Sequence, residues 1–259
     1  MKAKEEYVDA PRETRSKDIT VYAIIFLVLL VGAGIFLAVR LLHKPADAAL
    51  ADSKSGIIYD SSAVEGGWDN LSPEEIAEKL NENPVIAAVA EPERLPAALA
   101  SDCGVVFLLS GDILSIGALV DAVKNAGKAA MVHLELIEGL SGKEIAVDAI
   151  HALTRADGII STRAAQIKRA RQLGLATIQR GFLLDSRSVR SLQAQAAQGK
   201  PDYVEILPGV IPRVIAELAH GMNTPLIAGG LIKTKEEVVA ALGAGAVAVS
   251  TTAESVWAL

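Results

Sequence analysis

Residues 202–209 read DYVEILPG, and after an intervening helical pattern residues 225–252 read PLIAGGLIKTKEEVVAALGAGAVAVSTT. Three short apolar runs, Tyr203–Leu207, Pro225–Ala228 and Ala246–Ser250, alternate here with helical segments. The last two each run into small residues, Gly229-Gly230 and Thr251-Thr252, whose backbone N–H groups no bulky side chain would screen. This is how the last three units of a (β/α)8 barrel would be written. Such barrels commonly bind anions after strands seven and eight, so the bends predict an anion site.

Working back from this stretch, five more candidate strands follow Pro84: Val85–Val89, Gly104–Ser110, Ala129–His133, Gly158–Ser161 and Ala176–Gln179. All eight are mostly continuous apolar runs, as expected of parallel strands buried on both faces. Between them, Ser141 with Glu144 and Thr234 with Glu237 read as capping boxes, and Gly127, Gly174 and Gly243 stand where helices would stop. Ile113, Ile116, Leu119, Val120 and Val123 form an apolar stripe suited to packing on a sheet. The fold class is therefore α/β, a TIM-like (β/α)8 barrel over residues 83–259. A doubly wound open sheet is the alternative. It would place a glycine-rich turn after the first strand, and none follows Val89.

The barrel is preceded by a different kind of sequence. Residues 1–18 form a polar tail, and Ile19–Val39 is an uncharged apolar run. As a helix it would be about 31 Å long, enough to cross a hydrocarbon core, so residues 19–42 are read as a transmembrane helix. A buried core helix or a signal peptide, with Ala46-Asp47-Ala48 as a cleavage site, would be the alternatives. Five basic residues precede the span (Lys2, Lys4, Arg12, Arg15, Lys17) and three follow it closely (Arg40, Lys44, Lys54), a bias that weakly favours the amino end inside. Residues 43–82 read as a flexible linker with one short helix, opened by Ser72-Pro73-Glu74-Glu75 as a capping box.

Charge and cysteine content exclude several classes. The net charge of −6 falls mostly on residues 1–82, so neither part is a polycation. Cys103 is the only cysteine, and His43, His133, His151 and His220 lack metal-ligand spacing, which argues against a disulfide framework or a structural zinc.

In a barrel the carboxyl ends of the strands converge on one mouth. These positions offer His133 and Glu135, Arg163, Gln179 and Arg180, Glu205, Gly229-Gly230, and Ser250 to Thr252. The set suits a small polyol phosphate: arginine and amide donors for the phosphate, a histidine and carboxylates for hydroxyls. Other roles stay open for each. Glu205, inside a strand, needs a partner if buried, which could be an arginine or a ligand. His133 could be a core histidine, and the glycine pair a plain turn.

Between Gly158 and Lys200 lie eight basic residues (Arg163, Lys168, Arg169, Arg171, Arg180, Arg187, Arg190, Lys200) and one acid, Asp185. Two adjacent exterior helices would join this charge into one face able to meet a phosphodiester backbone, Lys168, Arg169, Arg171, Arg187 and Arg190 being the contact candidates. An ordinary solvated face is the plainer reading. Phe182 is the only aromatic there, so no base-stacking platform accompanies the charge.

Six stretches together carry a resemblance: MVHLELIEG (131–139), GIISTR (158–163), IQRGFLLD (178–185), PDYVEILPGVIP (201–212), AGGLIKTKEEV (228–238) and AGAVAVSTT (244–252). In this order, across residues 83–259, the chain resembles the glycerol-3-phosphate-responsive antiterminators, or glycerol uptake operon antiterminator regulatory proteins. The resemblance implies a barrel that binds glycerol-3-phosphate as effector, needs no cofactor, and acts on a messenger RNA leader so that transcription of glycerol genes passes a terminator. It implies ligand-site roles for His133, Arg163, Arg180, Glu205, Gly229, Gly230 and Thr251, to which Ser250 is added from its position at the mouth. It also implies a cytoplasmic barrel, whereas the charge bias around the span weakly disagrees. Residues 1–82 depart from the family pattern and look like a membrane leader joined to it. Two other functions are compatible with the residues: a phosphate-binding barrel enzyme (isomerase, aldolase or synthase), and a tethered metabolite sensor without RNA binding.

Overall fold

The computed structural model describes residues 70–259. The expected transmembrane helix, polar tail and most of the linker lie outside them; among the described residues no helix is long and apolar enough to cross a membrane.

The described chain begins with α1 (Pro73–Glu82), whose capping box forms as expected: Ser72 Oγ accepts from the Glu75 amide and Glu75 Oε2 from the Ser72 amide. Eight parallel strands follow: β1 (Val85–Val89), β2 (Val105–Leu108), β3 (Ala129–His133), β4 (Gly158–Ser161), β5 (Ala176–Phe182), β6 (Tyr203–Leu207), β7 (Leu226–Gly229) and β8 (Ala248–Thr251). They pair in chain order and close when β1 meets β8. The crossover helices are α2 (Leu95–Ala100), α3 (Ile116–Asn125), α4 (Ile145–Leu153), α5 (Ala164–Gln172), α6 (Ser186–Gly199), α7 (Pro212–Gly221) and α8 (Lys235–Gly243); α9 (Glu254–Trp257) ends the chain.

The apolar runs have the two-faced burial expected of this topology. Along β3, Ala129 and Met131 point into an inner cluster with Ile86, Phe107, Ile160, Ile178 and Ile227, while Ala130 and Val132 pack outward against the helices. The amino-terminal end of the barrel is closed by α1, which sends Ile76 and Leu80 into the inner cluster. The Leu71 amide donates to the fully buried Asp157, which also accepts from the Ala130 amide and pairs with Lys124. The barrel's packing thus begins near Leu71 rather than at residue 83.

Some local readings change. The Ser141–Glu144 capping box does not form: Glu144 is itself the N-cap of α4, without a side-chain cap bond, and Ser141 Oγ accepts from the Lys143 amide in a loop that Gln166 Nε2 also holds through the Lys143 carbonyl. Ile113 lies before α3 and is exposed, so the stripe that packs is Ile116, Val120 and Val123, with Leu119 partly buried beside it. Gly127 and Gly174 end their helices in the left-handed conformation, but after α8 that role falls to Gly245 rather than Gly243.

Candidate functional site: the mouth of the barrel

Strand alternation turns Arg180, Glu205, Gly229 and Ser250 toward the barrel axis, two residues beyond Ile178, Tyr203, Ile227 and Ala248 of the inner apolar layer. There they form one network. Arg180 Nε donates to Glu205 Oε2 at 2.5 Å, and Ser250 Oγ donates to Glu205 Oε1 at 2.5 Å. Glu205 is fully buried and Arg180 nearly so. Each carboxylate oxygen thus has a partner, as a buried charge requires. Of the two roles left open for Glu205, the arginine partnership is formed, and the residue also borders the opening above the network.

Gly229 owes its identity to this network. A Cβ there would lie 2.5 Å from Glu205 Oε1 and 2.6 Å from Ser250 Oγ, where no side-chain atom fits. The next residue, Gly230, has φ +73°, which bends the chain away from the strand end.

Above the network is an opening of about 240 Å³, lined among others by Arg180, Gly230, Leu231, Lys233, Thr251 and Thr252. The two bends expected to form an anion site therefore lie together. Arg180 uses only Nε among the described residues, which leaves its two terminal nitrogens as donors. Lys233 also borders the opening. The turn at Gly230 and the positive φ of Leu231 bring it back to the mouth.

Other expected site residues sit differently. The Thr251 side chain faces outward: its Oγ1 donates to the Ile232 carbonyl and accepts from the Ala253 amide. It ties the loop after β7 to the end of β8, so its side chain is a structural strut. Arg163 is half exposed, packs over Gly142, lies 3.9 Å from Glu135 and does not line the opening. Gln179 points outward, where its Nε2 donates to the Thr162 carbonyl.

His133 closes β3 on the inward-facing register, buried, with Nδ1 3.4 Å from Glu135 Oε2. Neither of these two atoms has a hydrogen-bond partner among the described residues. Burial, reinforced by the Arg180 charge and only partly opposed by Glu135, pushes the His133 pKa down to about 4, so the ring is neutral near pH 7. Burial pushes the Glu135 carboxyl up. Donation from Ser161 Oγ, the Thr162 amide and Thr162 Oγ1 outweighs it and leaves the pKa below the ordinary value. No group of three or more His, Cys, Asp or Glu suited to a metal occurs among the described residues.

On the exterior, α5 and α6 are neighbours, as the basic-face reading requires. Lys168 and Arg169 line a recess between them of about 460 Å³, together with Gln172 and Gln198. Arg169, however, is committed to Asp148 of α4 through Nε at 2.9 Å and through Nη2. Arg190 borders a separate recess that also holds Asp185 and Glu217, and Arg187 is exposed. The positive surface is thus interrupted by Asp148 and Glu217, which lie outside the counted segment, as well as by Asp185 within it.

Comparison with known proteins supplies the remaining context. YgcP from Escherichia coli (strain K12), described as an uncharacterized protein, is 44% identical over 180 residues, spanning 70% of this chain and 94% of that protein. The crystal structure of the glycerol uptake operon antiterminator regulatory protein from Listeria monocytogenes is 32% identical, with a TM-score of 0.66 over 68% of this chain and 95% of that one. A glycerol uptake operon antiterminator-related protein from Thermotoga maritima is 30% identical, with a TM-score of 0.59 over 67% and 96%. A deoxyribose phosphate aldolase from Aeropyrum pernix, at 18% identity and a TM-score of 0.52 over 73% and 92%, shares the fold alone. The family model described as glycerol-3-phosphate responsive antiterminator matches residues 85–257, the whole of the barrel. The chain belongs to the glycerol-3-phosphate responsive antiterminator family.

Proposed function

We propose that the barrel binds glycerol-3-phosphate at its mouth and in that state acts on a messenger RNA leader, letting transcription of glycerol-metabolism genes pass a terminator. The observation that carries this reading is the convergence on one small opening of the free guanidinium nitrogens of Arg180, the Lys233 ammonium and the bends at Gly230 and Thr251-Thr252. Cationic donors beside exposed backbone suit a phosphate dianion. Glu205, which also borders the opening, holds Arg180 in place. The exposed Lys168, Arg171, Arg187 and Arg190 are the proposed RNA contacts. The apolar span at residues 19–42 would hold the chain at a membrane, with the barrel on the cytoplasmic side.

The test is binding of leader RNA by the full chain with and without glycerol-3-phosphate. Tighter binding with the metabolite supports the proposal, and equal binding defeats the gating. An enzyme acting on a small polyol phosphate is the second reading, favoured by the contact between His133 and Glu135 at the mouth. Its best carboxylate base by position, Glu205, already accepts from Arg180 and Ser250. Turnover of a triose or polyol phosphate would favour it.

A further inference from the structure

His133 and Glu135 are separate from the phosphate-binding elements and are arranged as an oriented pair. Glu135 is held through one oxygen: Ser161 Oγ at 2.8 Å, the Thr162 amide at 2.9 Å and Thr162 Oγ1 at 2.9 Å all donate to Oε1. That leaves Oε2 3.4 Å from His133 Nδ1, an electrostatic approach rather than a formed hydrogen bond, and neither atom has a hydrogen-bond partner among the described residues. A carboxylate can only accept, so its charge beside Nδ1 favours the tautomer with the proton on Nδ1, which a small movement of either side chain would turn into a hydrogen bond. The other ring nitrogen, Nε2, is then a lone pair. It has no hydrogen bond among the described residues, and the strand register turns the ring toward the axis of the mouth.

Burial, aided by the Arg180 charge and opposed by Glu135, keeps the ring neutral. Arg180 from β5 faces it, and Glu135 is the nearest acid; Glu205 is already bound to Arg180. His133 does not itself line the opening, but a neutral acceptor near Arg180, which with Lys233 borders it, gives the mouth two kinds of recognition. The cations take phosphate oxygens, and the imidazole takes a hydroxyl hydrogen.

We infer that Glu135 is a positioning residue that fixes the Nδ1–H tautomer of His133, so that His133 Nε2 accepts a hydroxyl of the ligand and makes the mouth selective for hydroxylated alkyl phosphates. This rests on the phosphate-binding reading above, and adds which group of the ligand is read and by which atom. A phosphate ester lacking the hydroxyls leaves the same lone pair unmatched in a buried place.

The test measures affinities of the full chain for glycerol-3-phosphate, n-propyl phosphate and inorganic phosphate, with ¹⁵N NMR of the His133 ring. The wild-type chain is expected to favour glycerol-3-phosphate over n-propyl phosphate by about tenfold or more, in line with one hydrogen bond to a buried acceptor. His133→Phe should bind the two esters equally while keeping its affinity for n-propyl phosphate, which also reports an intact fold. Glu135→Gln should lower the preference and shift the ring from a pure Nδ1–H tautomer to a mixture, which a merely structural carboxylate would not do. A preference that survives His133→Phe, or a wild-type ring protonated on Nε2, overturns the inference. If the wild-type chain binds both esters equally, the inference fails and the phosphate reading stands. Binding none of the three ligands removes the phosphate reading itself.

Discussion

Arg180 and Glu205 stand opposite each other in the β5–β6 register and are joined by a 2.5 Å hydrogen bond in a place where Glu205 has no exposed surface. Such a pair does not by itself argue for high stability, since removing both charges from water offsets much of their attraction. Breaking it is another matter. Glu205→Ala would leave a buried guanidinium without its counter-charge, and a loss of about 3–5 kcal/mol in urea unfolding is expected. The same variant should bind glycerol-3-phosphate poorly, because Arg180 loses the acceptor that fixes its direction.

Gly229 and Gly243 give a paired prediction from one substitution. At Gly229 an alanine Cβ would sit 2.5 Å from a carboxylate oxygen and 2.6 Å from a hydroxyl, whereas at Gly243, in α8, nothing lies within 4 Å. Gly229→Ala is therefore expected to cost about 1–3 kcal/mol and disrupt the mouth. Gly243→Ala should be neutral or stabilise by up to about 1 kcal/mol, through the unfolded chain. Thermal melts of the two variants side by side check this; equal effects would mean that Gly229 is a plain turn residue.

How much of this was legible in the sequence depends on the range over which each feature is decided. Parallel strands buried on both faces must be apolar along their length, so the eight strands could be read from Val85–Val89 onward, four of them to the residue. The capping box of Thr234 with Glu237 involves neighbours alone and forms as written; that of Ser141 with Glu144 does not form, in a loop that is tied to Gln166, some twenty residues on. The mouth residues were found as positions but not as roles. Whether Glu205 meets arginine or ligand, whether Thr251 faces in or out, and whether Lys233 returns to the opening are set by register and loop path. Those are properties of packed elements, and no local pattern carries them.

The amino-terminal helix offers a prediction about where the folded unit begins. Ile76 and Leu80 are buried in the inner cluster, and the Leu71 amide satisfies Asp157. A chain starting at residue 83 would expose the amino-terminal end of the barrel and leave Asp157 short of a donor. Against one starting at residue 70 it is expected to lose roughly 3–6 kcal/mol, about 1.5–3 for each large apolar side chain. Unfolding in urea of the two fragments tests this, and equal stability would make α1 a mere passenger.

The acid side of the stability curve should report on His133. Its folded pKa of about 4 lies below the ordinary 6.5, so in the interval between them the unfolded chain binds the extra proton. The contribution is complete above pH 6.5 and is lost as the pH falls toward 4, by up to roughly 3 kcal/mol. Glu135, also lowered, adds a loss of the same sign, from below the ordinary 4.5 down through its folded pKa. His133→Gln should flatten the part between pH 6.5 and 4 and leave the lower part. A curve unchanged by that substitution would mean that the ring already titrates at its ordinary value in the folded chain.

The exterior charges make a prediction about salt. Arg169 is bound to Asp148, while Lys168 and Arg171 are exposed and have no ion pair among the described residues. A phosphodiester backbone gains by releasing counterions to free cations, and a guanidinium already neutralised by a carboxylate contributes less. Lys168→Ala and Arg171→Ala should each weaken leader RNA binding and reduce the slope of log affinity against log salt by about one contact's share, whereas Arg169→Ala should change the slope little. Titrations at several salt concentrations separate these cases. If all three leave the slope unchanged while RNA still binds, the contact surface lies elsewhere, with Arg187 and Arg190 as the next residues to test, since both are exposed and belong to α6.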